Sequence, residues 1–162
     1  MIDFDALYAE HSGAVFRFAL ALSGNRATAE DIVSETFIRV WGARERLDLG
    51  TVIGYLLTIA RHLYLEHSRR ERGQSPLDPE ARDAAADPLA ALQHKDELDV
   101  LLADMQTLAE PDRAALLMRA QDRMPYEEIA AALQIGVSAA KVKVHRARRR
   151  MLELRWQREG RK

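Results

Sequence analysis

Between Gln74 and Pro88 the chain stops reading as helix. Gln74-Ser75-Pro76-Leu77-Asp78-Pro79 and later Asp87-Pro88, with alanine and aspartate between, have the composition of turns and a linker. On either side, apolar residues recur at helical spacing, and alternating β-branched runs are absent. A chain of 162 residues interrupted in this way divides into two small helical units. The expected fold is all-α: two small helical domains over residues 1–72 and 93–162, joined by a flexible linker over 73–92. A linker of about 20 residues spans up to ~70 Å.

Within the first unit, Leu7, Val15, Phe16, Ala19 and Leu20 predict a helix from Phe4 to about Leu22, broken by Ser23-Gly24-Asn25. Thr28-Ala29-Glu30-Asp31 has the form of a capping box and predicts a helix start near Thr28, running to about Trp41-Gly42. A charged loop over Ala43–Thr51 leads to a helix over Val52–Arg70. Helical spacing resumes near Leu89 and runs to about Thr107. Further helices are expected at Asp112–Gln121, Pro125–Leu133 and Ser138–Arg155.

Several function classes are excluded early. The chain has no cysteine, so disulfides, thiolate metal sites and cysteine nucleophiles are absent. The five histidines (His11, His62, His67, His94 and His145) show no metal-ligand spacing. There is no glycine-rich phosphate loop and no nucleophile elbow. An enzyme, a metal site and a cofactor are therefore not expected. No apolar run is long enough to span a membrane, and Met1-Ile2-Asp3-Phe4-Asp5 lacks a signal-peptide core. A cytoplasmic protein without membrane insertion is expected.

Charge is distributed unevenly. Residues 71–105 carry nine acidic and three basic side chains, whereas residues 106–162 carry seven acidic and thirteen basic ones. On charge alone, a polyanion-binding end and a solvated helix face are equal readings. The opposite signs of the two segments also suggest that the basic helix packs against the acidic middle in the free protein.

Pattern narrows the choice at the C-terminal end. Tyr126–Leu133 reads as a short helix, Gln134-Ile135-Gly136-Val137 as a turn, and Ser138 as the N-cap of a second helix. Ala140, Val144, Ala147 and Met151 form its apolar stripe. Ser138, Val142, His145, Arg146 and Arg149 lie roughly opposite, with Lys141 at the flank. A helix placed in a major groove needs an apolar back, small or polar groups near its start, and cations for phosphates. An ordinary helical hairpin with a basic exterior is the competing reading. Gln134 stands where such turns usually carry glycine, and the left-handed conformation costs a non-glycine residue about 1–2 kcal/mol. Gly136 offers another way to make the turn.

Two faces stand out in the first unit. In the helix beginning near Thr28, residues Ala29, Ile32, Val33, Thr36 and Val40 form the core face. Asp31, Ser34, Glu35 and Ile38, with Trp41 at the margin, point the other way. Apolar residues among carboxylates fit a docking surface, or simply scattered exposed side chains. In the Val52–Arg70 helix, Val52, Leu56, Ile59, Ala60 and Leu63 form the buried stripe. Tyr55, Thr58, Arg61, His62, Leu65 and Arg69 lie around the other side. Cations mixed with rings suit single-stranded nucleic acid, and a solvated face is the equal alternative.

These segments together resemble the sigma-70 family of bacterial RNA polymerase sigma factors. Ala29 to Trp41 is similar to the family's core-polymerase-binding helix. Tyr55-Leu56-Leu57-Thr58-Ile59-Ala60-Arg61-His62 is similar to the helix that contacts the −10 promoter element. Tyr126 to Arg148 resembles the −35-binding helix-turn-helix. With only a linker between them and no long N-terminal extension, the arrangement resembles the extracytoplasmic-function class, which keeps sigma regions 2 and 4.

The resemblance implies a transcription initiation factor. Asp31, Ser34, Glu35, Ile38 and Trp41 would dock on the β′ clamp of core RNA polymerase. Tyr55, Thr58, Arg61, His62, Leu65 and Arg69, with the Ala43–Thr51 loop, would engage the −10 element and trap an unpaired strand. Ser138, Ala139, Lys141, Val142, His145, Arg146 and Arg149 would meet the −35 duplex. Promoter DNA and core polymerase are the implied partners, and an anti-sigma factor is a third. His62, Glu66 and Tyr55 depart from the family's usual asparagine, aspartate and tryptophan. Gln134, Ala139 and Ala140 depart from its glycine, threonine and valine. These positions bear on promoter choice. A sigma-like regulator that binds DNA without engaging polymerase is the alternative.

Overall fold

The computed structural model of the chain describes residues 3–43, 51–74 and 96–161. Those residues form seven α-helices: α1 (Phe4–Ser23), α2 (Arg26–Gly42), α3 (Val52–Gln74), α4 (Glu97–Gln106), α5 (Glu110–Asp122), α6 (Tyr126–Leu133) and α7 (Val137–Glu159). Helix α3 runs two residues into the expected linker, and residues 75–92 of that linker lie outside the described residues. The same holds for the helical start expected at Leu89 and for residues 44–50 of the loop.

Capping explains where the helices begin and end. Asp3 accepts the backbone N–H groups of Asp5 and Ala6 and starts α1. Gly24, at φ 69°, closes it in the left-handed region, where glycine bears no Cβ penalty. Helix α2 starts at Arg26, ahead of the expected position. Asn25 is its cap and accepts the Thr28 N–H at 2.9 Å, so Thr28 is the capped residue rather than the cap. The turn between α6 and α7 also differs from expectation in one respect. Gln134 does take the left-handed conformation (φ 57°, ψ 46°), and Gly136 is extended and serves as the N-cap of α7. Because the reversal is completed at Gln134, the next helix begins at Val137. Ser138 therefore lies inside its first turn and is not the cap.

The apolar stripes bury as helical spacing requires. Phe18, Leu22, Ile32, Leu56 and Ala60 are buried in the first half, and Met118, Ile129, Val144 and Ala147 in the second. One hydrophobic cluster runs through both halves. Two helices of the first half reach the second: α1 packs on α4 and α5, and α3 on α5 and α6. Helix α3 packs on α1 and α2 along one side and on α5 and α6 along another. Leu57 is consequently 0 % exposed, although it falls outside the expected stripe of α3.

Polar contacts mark the joint between the halves. Arg61 donates from Nε and Nη2 to the two carboxylate oxygens of Glu110, at 2.7 and 2.9 Å. Thr51 Oγ1 donates to Glu128 at 2.5 Å, and Gln106 Nε2 donates to the Ala21 carbonyl at 2.9 Å. Arg113 is buried. It donates to the Met105 and Leu108 carbonyls at the end of α4 and to the Tyr64 hydroxyl on α3. A cation there also complements the negative end of α4. Gly54 permits the close approach, since a Cβ would sit 2.8 Å from Thr51 Oγ1 and 3.4 Å from the Glu128 carboxylate. Among the described residues, no helix is long and apolar enough to cross a membrane.

Candidate functional site

Three helix faces carry the residues singled out above, and the structure treats them differently. On α2, Asp31, Ser34, Glu35, Ile38 and Trp41 are all exposed, Ile38 at 68 %. They border two distinct depressions. Asp31 and Glu35 line a small cleft between α2 and α3 with Glu66, His67 and Arg70. Arg39 bridges Glu66 at 3.2 Å and Glu35 at 3.9 Å beside it. Ser34, Ile38 and Trp41 instead line an apolar groove of about 320 Å³ between α2 and α1.

Phe4 and Tyr8 complete that groove, and sequence reasoning missed them. Phe4 meets Trp41 edge-on with ring centres 4.9 Å apart, and Tyr8 meets Phe37 at 4.8 Å. The signal was available: two rings four residues apart lie on one face of α1, beside the stripe begun by Leu7. The α2 face thus has an acidic half against α3 and an aromatic half against α1.

The α3 face is partly covered. His62 and Arg69 are exposed, but Tyr55, Thr58, Arg61 and Leu65 are only partly so. The Thr58 hydroxyl donates to the Gly54 carbonyl within the helix. Tyr55 packs against the hydrophobic cluster. The Arg61 side chain, 13 % exposed, is held by Glu110 from the other half of the molecule. Thr51, Gly54, Arg61 and Tyr64 all meet residues of that half.

Helix α7 is open. Ala140, Val144 and Ala147 are buried, whereas Ser138, Ala139, Lys141, Val142, His145, Arg146 and Arg149 are all exposed. No side-chain cap occupies the N–H groups of its first turn, which suits that end to a phosphate. Lys141 lies over the Tyr126 ring at 5.7 Å. Arg149 pairs along the helix with Glu153 at 3.6 Å. Arg146 has a second role. Its guanidinium donates two hydrogen bonds to Asp112 on α5, at 2.7 and 2.9 Å. Those bonds, and then the carboxylate charge, raise its pKa further above the ordinary arginine value. It stays charged, but one edge of the fork is already engaged.

The expectation that the basic helix packs against the acidic middle falls mostly on residues outside those described. Among the described residues the halves do pack together, and the faces that become covered belong to α1 and α3. Helix α7 keeps its outer face free because its apolar stripe is already satisfied by α5 and α6. Most of the acidic middle lies outside the described residues. Its Asp104 reaches α7 near the C-terminal end, pairing with Arg158. Among the described residues, no group of three or more His, Asp or Glu side chains is placed to hold a metal ion.

Residues 7–74 match the family described as Sigma-70 region 2, and residues 98–151 match Sigma-70, region 4. The chain is 34 % identical over 157 residues to the ECF RNA polymerase sigma factor SigE of Mycolicibacterium smegmatis. That match covers 93 % of this chain and 61 % of SigE, so the chain spans about three fifths of that relative's length. It is 30 % identical over 155 residues to the RNA polymerase sigma factor CarQ of Myxococcus xanthus, covering 93 % of this chain and 88 % of CarQ. The same fold is found in the sigma factor RpoE of Bartonella quintana, solved in complex with the anti-sigma factor NepR. The TM-score is 0.75 at 22 % identity, over 94 % of this chain and 96 % of that one. By both of its regions and by its likeness to these sigma factors, the chain belongs to the sigma-70 family of RNA polymerase sigma factors, in the extracytoplasmic-function class.

Proposed function

We propose that this protein is a transcription initiation factor that binds core RNA polymerase and directs it to a defined set of promoters. The observation that carries the reading is the pairing of two exposed surfaces. An apolar groove flanked by carboxylates lies on the region 2 half, and a cationic recognition helix lies on the region 4 half. Residues 1–72 form the polymerase- and −10-binding domain, 73–92 the linker and 93–162 the −35-binding domain.

Ile38 and Trp41, with Phe4 and Tyr8 beside them, supply the apolar part of the surface that meets the β′ clamp. Asp31, Ser34 and Glu35 supply its polar part. Aromatic and aliphatic anchors in a groove are the usual source of docking energy, and flanking charges set orientation. Lys141, Arg146 and Arg149 meet phosphates of the −35 duplex. Ser138, Ala139, Val142 and His145 approach the base edges in the major groove. Tyr55, Thr58, Arg61, His62, Leu65 and Arg69 hold the unpaired −10 strand, where ring stacking and backbone cations offset the cost of unstacking. This chain makes and breaks no bond; the polymerase does the chemistry. The protein acts in the cytoplasm, where its template is. An anti-sigma factor is a further partner, supported by the NepR-bound RpoE relative.

Purified core polymerase tests the reading. The chain should co-elute with core as a one-to-one complex, and Ile38→Glu should lose that complex while keeping its affinity for duplex DNA. Duplex binding with no core complex in the wild type would favour a DNA-binding regulator that does not engage polymerase.

A further inference from the structure

The two DNA-reading faces are not equally available. Helix α7 presents its outer face, while α3 presents His62 and Arg69 but has Arg61 tied to Glu110. The tie is bidentate and both partners are largely shielded, with side-chain exposures of 13 % and 18 %. A carboxylate that takes two hydrogen bonds from the Nε–Nη2 edge of a guanidinium occupies the positions two phosphate oxygens would take. Glu110 is the first residue of α5, so the contact crosses between the halves and is absent from an opened molecule. Thr51 to Glu128 and Tyr64 to Arg113 extend it along the same helix. Leu57, fully buried on the same side of α3, adds apolar burial there.

We propose that Glu110 is an intramolecular latch. It stands in for a DNA phosphate on Arg61 and closes the region 4 half over the single-strand face of α3, leaving the duplex-reading face of α7 and the polymerase-docking face of α2 open. The free protein then engages duplex DNA and polymerase but not an unpaired strand. The strand-binding face is released only when the halves separate. The proposal rests on the assignment of α3 to single-stranded DNA made above. Apparent affinity for single strands is lowered by the fraction of molecules that are open, so a chain open one time in ten binds about tenfold more weakly than an open one.

The absence of cysteine allows a direct test. Spin labels on Ala27→Cys in α2 and Gln157→Cys in α7, both exposed positions, report the separation of the halves. The labelled parent should give one narrow distance. Glu110→Arg should give a longer, broad distribution, and the swap Arg61→Glu with Glu110→Arg should restore the narrow one. Restoration separates a latch from a folding defect. In parallel, a random-sequence pool of short single strands should bind Glu110→Arg about tenfold or more tightly than wild type. Glu127→Arg makes the same charge change at an exposed site of the same half and should gain far less. A random duplex pool should not distinguish Glu110→Arg from Glu127→Arg. A broad distance in the parent, or an unchanged one in Glu110→Arg, would overturn the latch. Opening without a gain in single-strand binding greater than that of Glu127→Arg would overturn the assignment of α3 to the unpaired strand, and the masking with it.

Discussion

Helices α3 and α7 are both 23 residues long, both rich in cations, and both read from sequence as DNA-facing. They sit differently. Helix α7 buries one narrow stripe of small residues, Ala140, Val144 and Ala147, flanked by the partly buried Val137 and Met151, and leaves its outer face in solvent. Helix α3 buries Leu56, Ala60 and Leu63 as expected, and also Leu57, because a second set of helices lies on its other side. The comparison separates two meanings of a cationic face. On α7 the cations are available to a ligand, with Arg146 partly engaged. On α3 the central cation already has a carboxylate partner.

The largest effect should come from Leu57. If α3 is packed on two sides, Leu57→Ala should cost about 2–5 kcal/mol in urea unfolding, as much as Leu56→Ala. A loss well below 1 kcal/mol at Leu57, with a full loss at Leu56, would mean that the second side of α3 is solvent-facing and that the contrast with α7 is unfounded.

The open face of α2 sharpens the contrast from within region 2. Ile38→Glu should weaken core-polymerase binding by about tenfold or more, the scale of an interface anchor. Its unfolding midpoint should stay at the wild-type value, because Ile38 already faces solvent. Tyr8→Ala should weaken the complex in the same direction. If Ile38→Glu bound core normally in a competition assay, the groove between α1 and α2 would not be the docking site.

Within α7, Arg149 and Arg146 are expected to part company. Arg149→Ala should reduce the slope of log affinity against log salt by up to about one for the lost phosphate contact, with unchanged thermal stability. Arg146→Ala should lower both affinity and melting temperature, because it leaves the buried Asp112 carboxylate with only Lys143 nearby, at 3.9 Å. Equal melting temperatures for the two variants would show that the Asp112 contact contributes nothing to folding.

Much of this architecture was legible in the residues. Period-3.6 stripes located the helices, and the proline-rich interruption separated the two halves. The order of three segments pointed to the family. At Gln134 the residues left two turns open, a left-handed glutamine or a reversal made at Gly136, and the chain takes the first. Gln134→Gly should therefore add about 1 kcal/mol, the smallest effect considered, without altering DNA binding. Helix starts were less legible, because Asn25 and Gly136 cap where Thr28 and Ser138 have equally suitable side chains, and tertiary packing decides between them. Least legible was the state of the α3 face. Arg61 and Glu110 are separated by 49 residues, and nothing local to either announces the pairing. Periodicity identifies one buried stripe per helix, so a second one, such as that containing Leu57, reads as exposed.

The central claim is that this chain selects promoters for polymerase. Genomic DNA from its own source should be transcribed by bacterial core polymerase with and without the purified protein, and the transcript 5′ ends mapped. The account predicts a discrete set of starts that appear only with the protein and share two sequence elements upstream, and it predicts that Ile38→Glu abolishes them. An identical set of 5′ ends with and without the protein, under conditions where it is bound to core, would contradict it.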